Sequence, residues 1–356
     1  MKKLCSMLLL LGISAGILSG CSSKVEIEKY SVQLIEDHMF DTVVQFIVFT
    51  DNEDEFETYT EELKDQFAYY HKQYDKYNLH PGINNIKSIN EAAGTAEIEV
   101  SQDVIDLLLY AKNLYQETSK KNNIALGAVL EVWHDYRDRY SDTFEYPQDN
   151  TESEIPPQDL LESKRKHTNM DNLIINDDDN TVLIKDPEMS IDVGGVAKGY
   201  ATEKIAQSLI EKGLENFAIS AGGNVRVHGY SYGNNGEKRP WNTGVTDPID
   251  RSNPSIANVI STTGSVVSSG DYERFYWYNQ KRYSHIIDGD TFLPGLNFAQ
   301  VTVYTEHSGL ADYLSTELFL LSKEEGEKIA DKFNAEVLWV YHDGTIEQTS
   351  DFFKVK

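Results

Sequence analysis

The sequence predicts a mixed α/β fold, and three observations carry that prediction. Short β-branched and aromatic runs interleave with stretches whose apolar residues recur at helical spacing. The two kinds of segment do not alternate as cleanly as in a parallel doubly wound sheet. The chain has 356 residues, 40% hydrophobic and 11% aromatic, enough to bury a sizeable core despite a formal net charge of −26.

The first segment is an export signal. Lys2 and Lys3 precede an apolar run from Leu4 to Leu18, which ends in Leu18-Ser19-Gly20-Cys21. At about 15 residues the run is short for a membrane span. Its ending resembles a bacterial lipobox, in which Cys21 becomes the lipidated first residue; an ordinary secretory signal is the alternative. Residues 1–20 are then a signal peptide, residues 21–29 a membrane tether and residues 30–356 the folded domain. Losing Lys2 and Lys3 takes the net charge from −26 to −28. Both cysteines lie in the first 21 residues, so the mature chain has none for a disulfide, a thiol nucleophile or a thiolate metal site. The acidity and the lack of a basic stripe argue against nucleic acid as a partner.

Asp41 to Thr50 (DTVVQFIVFT) reads as a buried strand. From Glu53 to Tyr74 the apolar positions Phe56, Tyr59, Leu63, Phe67, Tyr70 and Tyr74 trace one helix face. Ser101 caps a second helix that carries Val104, Leu107, Leu108, Ala111, Leu114 and Tyr115. Residues 141–160 are acidic with three prolines and read as a surface excursion. Strands flank the turn Asp177-Asp178-Asp179-Asn180, and Met189 to Val193 reads as a further strand. That segment runs into Gly194-Gly195 and a helix with Ala201, Ile205 and Leu209, stopped by Gly213. Phe217 to Ser220 is the next strand. Ser322 and Glu325 form a capping box for a helix with Ile329 and Phe333, and Ala335 to His342 is a late strand.

Four constellations could carry chemistry. Asp192-Val-Gly-Gly-Val-Ala-Lys198-Gly-Tyr200 joins a Gly pair to a helix start, where unpaired N–H groups and Lys198 would favour an anion; a plain turn is the alternative. Ser220-Ala-Gly222-Gly223-Asn224 is a second Gly pair, either a tight turn or a place for close ligand approach. Ser268-Ser-Gly-Asp-Tyr272 and His285-Ile-Ile-Asp288 flank the aromatic run Phe275-Tyr-Trp-Tyr278, and His285 is either a proton carrier or a structural histidine. In Gly309-Leu-Ala-Asp312-Tyr-Leu-Ser-Thr316, Asp312 and Thr316 stand one helical turn apart. They suit a hard cation such as Mg²⁺, or else Asp312 serves the helix dipole and Thr316 bonds back to its own turn.

In this order the four resemble the motifs of the ApbE family of FAD:protein FMN transferases, over roughly residues 30–350. The resemblance implies a single toroidal α/β domain with flavin between two lobes. It also implies FAD as donor, Mg²⁺ as cofactor and FMN transfer to a Ser or Thr hydroxyl of an exported acceptor protein, with AMP released outside the cytoplasm at the membrane face. Carried over, Asp312, Thr316 and the Gly195 carbonyl would ligate Mg²⁺. Lys198 would lie by the diphosphate or flavin, with Gly222, Gly223 and Asn123 also at cofactor-binding positions. Tyr74 would stack on the isoalloxazine with Met39 nearby. His285 would accept the proton of the target hydroxyl, with Asp312 a competitor for that role. The chain departs from the family pattern at Asn122-Asn123, where Phe-Asp is usual, and at Asn224, where Asp is usual. It also departs at Gly289-Asp290-Thr291-Phe292, which lacks the Pro after Asp288 and the Gly after Thr291. Two other functions fit the same features: an FAD pyrophosphatase, with water in place of the acceptor, and a solute-binding lipoprotein that needs no metal.

Overall fold

The computed structural model describes residues 27–35, 39–140 and 153–356. The signal, Cys21 and most of the tether lie outside the described residues, as does the stretch 141–152. Among the described residues no helix is long and apolar enough to cross a membrane.

Eight strands form the central sheet: β1 (Glu28–Leu34), β2 (Val44–Thr50), β3 (Phe217–Ala221), β4 (Asn224–His228), β5 (Thr263–Gly270), β6 (Gln300–Thr305), β7 (Glu336–Val340) and β8 (Ile346–Gln348). Their order in space is their order along the chain. Every neighbour is antiparallel, with Phe46 facing Ile219 and Val303 facing Val337. The helices arrive as insertions between strands. They are α1 (Glu53–Tyr74), α2 (Ile86–Glu91), α3 (Gln102–Glu117), α4 (Gly127–Tyr140), α5 (Gln158–Lys164), α6 (Ala197–Glu211), α7 (Ser308–Phe319) and α8 (Lys323–Phe333). An antiparallel meander with helical insertions explains why no regular strand–helix alternation is legible.

Side-chain alternation builds two cores on the two faces of the sheet. Val44, Phe46, Val48, Val337 and Trp339 point into the main core with α1, α6 and α7. Leu338 and Val340, the alternate residues, join Val245, Ala257, Val259 and Phe353 on the other face. That face is covered by a small sheet of residues 241–245, 257–261 and 354–355. A separate cluster of Trp133, Leu161, Tyr276, Ile287 and Phe292 joins α4 and α5 to the hairpin 275–284.

Most expected elements are present. Asn52 caps α1 and Ser101 caps α3, each accepting a backbone N–H; both bonds of the Ser322–Glu325 box are made, and Gly213 ends α6 at φ +99°. Three expectations need correction. β2 begins at Val44, because Phe40 and Asp41 take left-handed φ of 55° and 52° in a turn. Met189 to Val193 is not a strand. Its backbone groups go instead to the Asn90 side chain and to the carbonyl of Ile124, so no ladder forms. The excursion ends by Pro157, since Gln158 opens α5.

Candidate active site

A cavity of about 1030 Å³ opens between two walls. One wall is made by the loop before α6, the β3–β4 turn, the end of β5 and α7. The other is made by the loop after α1, by α4, and by Arg274 and His285 at the base of the 275–284 hairpin.

On the first wall, α6 starts without a side-chain cap, which leaves its first N–H groups for other acceptors. The Gly199 N–H donates to Asp312 Oδ2 at 2.7 Å. Gly199 is required there, because a Cβ would lie 2.4 Å from the Cβ of Asp312 and 2.6 Å from the Ser308 carbonyl. Asp312 therefore serves the N-terminus of α6, not of its own helix, and is only 6% exposed. Lys198 Nζ lies 3.9 Å from Asp312 Oδ1. It is Ser315, not Thr316, whose hydroxyl bonds back, donating to the Asp312 carbonyl at 2.9 Å. Thr316 Oγ1 lies 3.3 Å from Ser269 Oγ. The Gly195 carbonyl accepts a hydrogen bond from Asn122 Nδ2 at 3.1 Å. A carboxylate, a hydroxyl and a carbonyl on one cavity wall are an all-oxygen donor set, which fits a hard divalent cation.

The second Gly pair is the two-residue turn between β3 and β4, with Ala221 paired to Asn224 and φ of 54° and 85° at Gly222 and Gly223. Left-handed values at both positions are those of a type I′ hairpin, which glycine adopts without strain. A Cβ on Gly222 would also meet Thr42 Oγ1 at 2.2 Å. The turn reading holds, and both glycines line the cavity.

On the second wall, His285 Nδ1 lies 3.2 Å from the Arg274 carbonyl. A carbonyl only accepts, so Nδ1 carries the proton and Nε2 keeps its lone pair. Burial, reinforced by the Arg274 charge, pushes the His285 imidazole down to about 4. His134 is pushed down to about 4 as well, by burial and by Lys76. Lys76 pairs with Asp192, which is held below the usual carboxylate range: burial opposes this, but Lys76 and the Gly194 N–H outweigh it. Arg137 and Arg274 complete a cationic rim that sequence reasoning missed. Its members come from distant segments, and no spacing links them.

The altered loop after His285 keeps its turn by other means. Asp288 Oδ1 accepts the N–H groups of Asp290 and Thr291 at 2.7 and 3.0 Å, and Lys121 pairs with its Oδ2 at 2.9 Å. Phe292 stands at φ +61° where the family pattern has glycine. Its ring is fully buried, and its carbonyl accepts from Trp133 Nε1 at 2.8 Å. Packing and that hydrogen bond hold a backbone conformation that a bulky residue otherwise avoids.

Four other expected site residues behave differently from one another. Lys198 lines the cavity. Tyr74 borders it but is 4% exposed, stacked on Tyr70, with its hydroxyl donating to the Asp103 carbonyl at 3.3 Å. Met39 is 1% exposed and packs in the core; its neighbour Phe40 lines the cavity instead. Asn123 caps the short helix at Ile124–Leu126 by accepting the Ala125 N–H, and its Nδ2 donates to the Thr168 carbonyl at 3.1 Å. An Asp there could keep the cap but not the second bond. Tyr77, 58% exposed on the cavity wall, is an aromatic that sequence reasoning passed over.

His71, Asp75 and His80 lie close enough together to suggest a metal site. The Asp75 carboxylate, however, already accepts from the N–H groups of Tyr77 and Asn78, from Asn78 Nδ2 and from His80 Nε2. These bonds fill its acceptor positions, and His71 Nδ1 takes the Phe40 N–H. The cluster shapes the turn after α1.

The ApbE family model matches residues 40–339. The FAD:protein FMN transferase of Haemophilus influenzae is 27% identical over 72% of each chain. That of Vibrio cholerae is 26% identical over 84% of this chain and 83% of its own. Among solved structures, the ApbE protein of Thermotoga maritima superposes with a TM-score of 0.73 at 27% identity, covering 91% of this chain and 98% of that one.

Proposed function

This chain belongs to the ApbE family, and we propose that it is an FAD:protein FMN transferase that moves FMN from FAD to a Ser or Thr hydroxyl of an exported protein and releases AMP. The observation that carries the proposal is the meeting, in one cavity, of the Asp312–Thr316–Gly195 oxygen set with a neutral His285.

In this reaction the acceptor oxygen attacks the phosphorus on the riboflavin side of the diphosphate. A P–O bond forms to FMN, and the bridging P–O bond breaks with its electron pair leaving on AMP. His285 Nε2, free of a proton, takes the hydroxyl proton. Asp312, Thr316 and the Gly195 carbonyl would hold Mg²⁺, which neutralises diphosphate charge when bound. Lys198 adds positive charge at the same wall, where Asp312 already accepts the Gly199 N–H at the start of α6. Tyr77, as an exposed ring of the wall, is better placed to stack on flavin than Tyr74, which is buried against Tyr70. Arg137, Arg274 and Lys198 line the cavity and would face the phosphates of an anionic dinucleotide in a chain of net charge −26.

Export and lipid anchoring at Cys21 belong to the same proposal, supported by the Leu-Ser-Gly-Cys ending of the signal. Replacing Cys21→Ala should move the protein from the membrane fraction to the soluble one. The activity itself is tested by co-expression with the exported proteins of the host. Mass spectrometry should find an FMN adduct on Ser or Thr that depends on this chain. Rapid AMP release from FAD and Mg²⁺ with no acceptor would instead mark a pyrophosphatase.

A further inference from the structure

Asn122 stands between the two halves of the oxygen-donor set and is bound to both. Its Nδ2 donates to the Gly195 carbonyl at 3.1 Å and to the Tyr313 carbonyl at 3.2 Å, so both amide hydrogens are used. Its backbone N–H donates to Glu317 Oε2 at 2.6 Å, and its carbonyl accepts from the Tyr313 hydroxyl at 2.9 Å. Tyr313 and Glu317 follow Asp312 and Thr316 directly in α7. Asn122 is therefore tied to α7 at both of the turns that present Asp312 and Thr316, while its side chain grips Gly195 across the gap. It is 8% exposed, and a Cβ on Gly195 would lie 2.9 Å from its Oδ1, so the amide and the Gly195 backbone are in close contact. A carbonyl has a second lone pair, so the hydrogen bond orients Gly195 without using up its capacity to meet a cation. A Phe at this position, the usual residue of the family pattern, has no donor for either carbonyl.

We propose that Asn122 is a positioning residue that holds the Gly195 carbonyl in register with Asp312 and Thr316 and so sets the affinity of the site for a divalent cation. This rests on the assignment of those three residues as the cation site. Outer-shell hydrogen bonds that orient a ligand are worth about 10- to 100-fold in metal affinity.

The test is a titration of the purified chain with Mn²⁺, followed by electron paramagnetic resonance, with thermal unfolding measured on the same samples. In Asn122→Ala the backbone bonds to Glu317 and Tyr313 remain, so the fold should persist. Mn²⁺ should bind about 10-fold more weakly, at the low end of that range. Gly195→Ala, whose Cβ displaces the amide, should give a loss of similar size, and no further loss when added to Asn122→Ala. A purely structural Asn122 would lower the unfolding temperature and leave Mn²⁺ affinity unchanged, which overturns the inference while the site assignment stands. Asp312→Ala separates the two levels. If the wild-type chain shows no Mn²⁺ binding that Asp312→Ala removes, the site assignment itself fails, and the inference with it.

Discussion

The two walls of the cavity are built on different principles. The α6–α7 wall is made of short contiguous motifs at the ends of regular elements: a Gly pair before a helix, a two-residue hairpin turn, and Asp312 and Thr316 one turn apart. Its partners are fixed by backbone groups, as when the Gly199 N–H donates to Asp312. The facing wall gathers single side chains from remote places. Lys76 comes from the loop after α1, Arg137 from α4, and Arg274 and His285 from the base of the 275–284 hairpin. The difference teaches that local geometry leaves a signature in sequence, whereas a cationic rim assembled by tertiary folding does not. The proposed function divides its labour along the same line, with the metal and diphosphate assigned to the first wall and the proton acceptor and flavin ring to the second.

The largest effect should come from the motif wall. Asp312→Asn keeps the side chain's shape and leaves an oxygen for the Gly199 N–H, but removes the charge. FMN transfer to an acceptor should fall at least about 100-fold, the scale of losing one electrostatic stabiliser, with little change in thermal stability. Retention of a tenth of the activity would break the assignment of the metal to this wall.

His285→Gln tests the other wall and should cost about 100-fold in kcat, as loss of a general base does. FAD affinity, read by flavin fluorescence quenching, should hold. Because the imidazole is already neutral well above about 4, the wild-type rate should show no limb near pH 6.5 that His285→Gln abolishes. A KM effect without a kcat effect would move His285 from proton transfer to binding.

A smaller effect separates two tyrosines, and it marks how far the sequence could be read. The helix periodicity of α1 correctly puts Tyr74 on the apolar face, and that same fact buries it at 4% exposure against Tyr70 and Asp103. Tyr77 lies past the helix, in a turn made by Asp75 accepting the next N–H groups, so no periodicity singles it out. Likewise Met189 to Val193 has strand composition, but the N–H groups of Ile191 and Asp192 go to the Asn90 side chain and the Ile124 carbonyl, partners that no local pattern indicates. Tyr77→Ala should weaken FAD binding about 5-fold, equivalent to about 1 kcal/mol of ring contact. Tyr74→Phe should leave FAD binding unchanged and lose no more than about 1 kcal/mol of stability for its hydrogen bond. The reverse outcome would return the flavin contact to Tyr74.

A last effect, on stability against pH, compares the walls through their histidines. His134 and His285 have pKa values near 4 when folded, against 6.5 as the ordinary value. Above pH 6.5 both are neutral whether folded or unfolded and contribute nothing. Between 6.5 and 4 the unfolded chain takes up protons that the folded one does not, so stability falls as pH falls, and the effect levels off below about 4. His307, which caps α7 on the first wall, and His228 are also held down by burial and act in the same direction. The carboxylates held low, Asp192 and Glu203 among them, lose their contribution only at lower pH, as they titrate below their ordinary values. Glu317, held above its ordinary value by burial, acts in the opposite direction, so urea midpoints measured from pH 7 to pH 4.5 report the histidines set against that carboxylate. Replacing His134→Gln and His285→Gln together should flatten part of that slope and leave the share of His228 and His307. If the slope does not change at all, the two histidines of the second wall are hydrated in the folded chain, and His285 would be a charged group at mildly acidic pH, unable to accept the hydroxyl proton there.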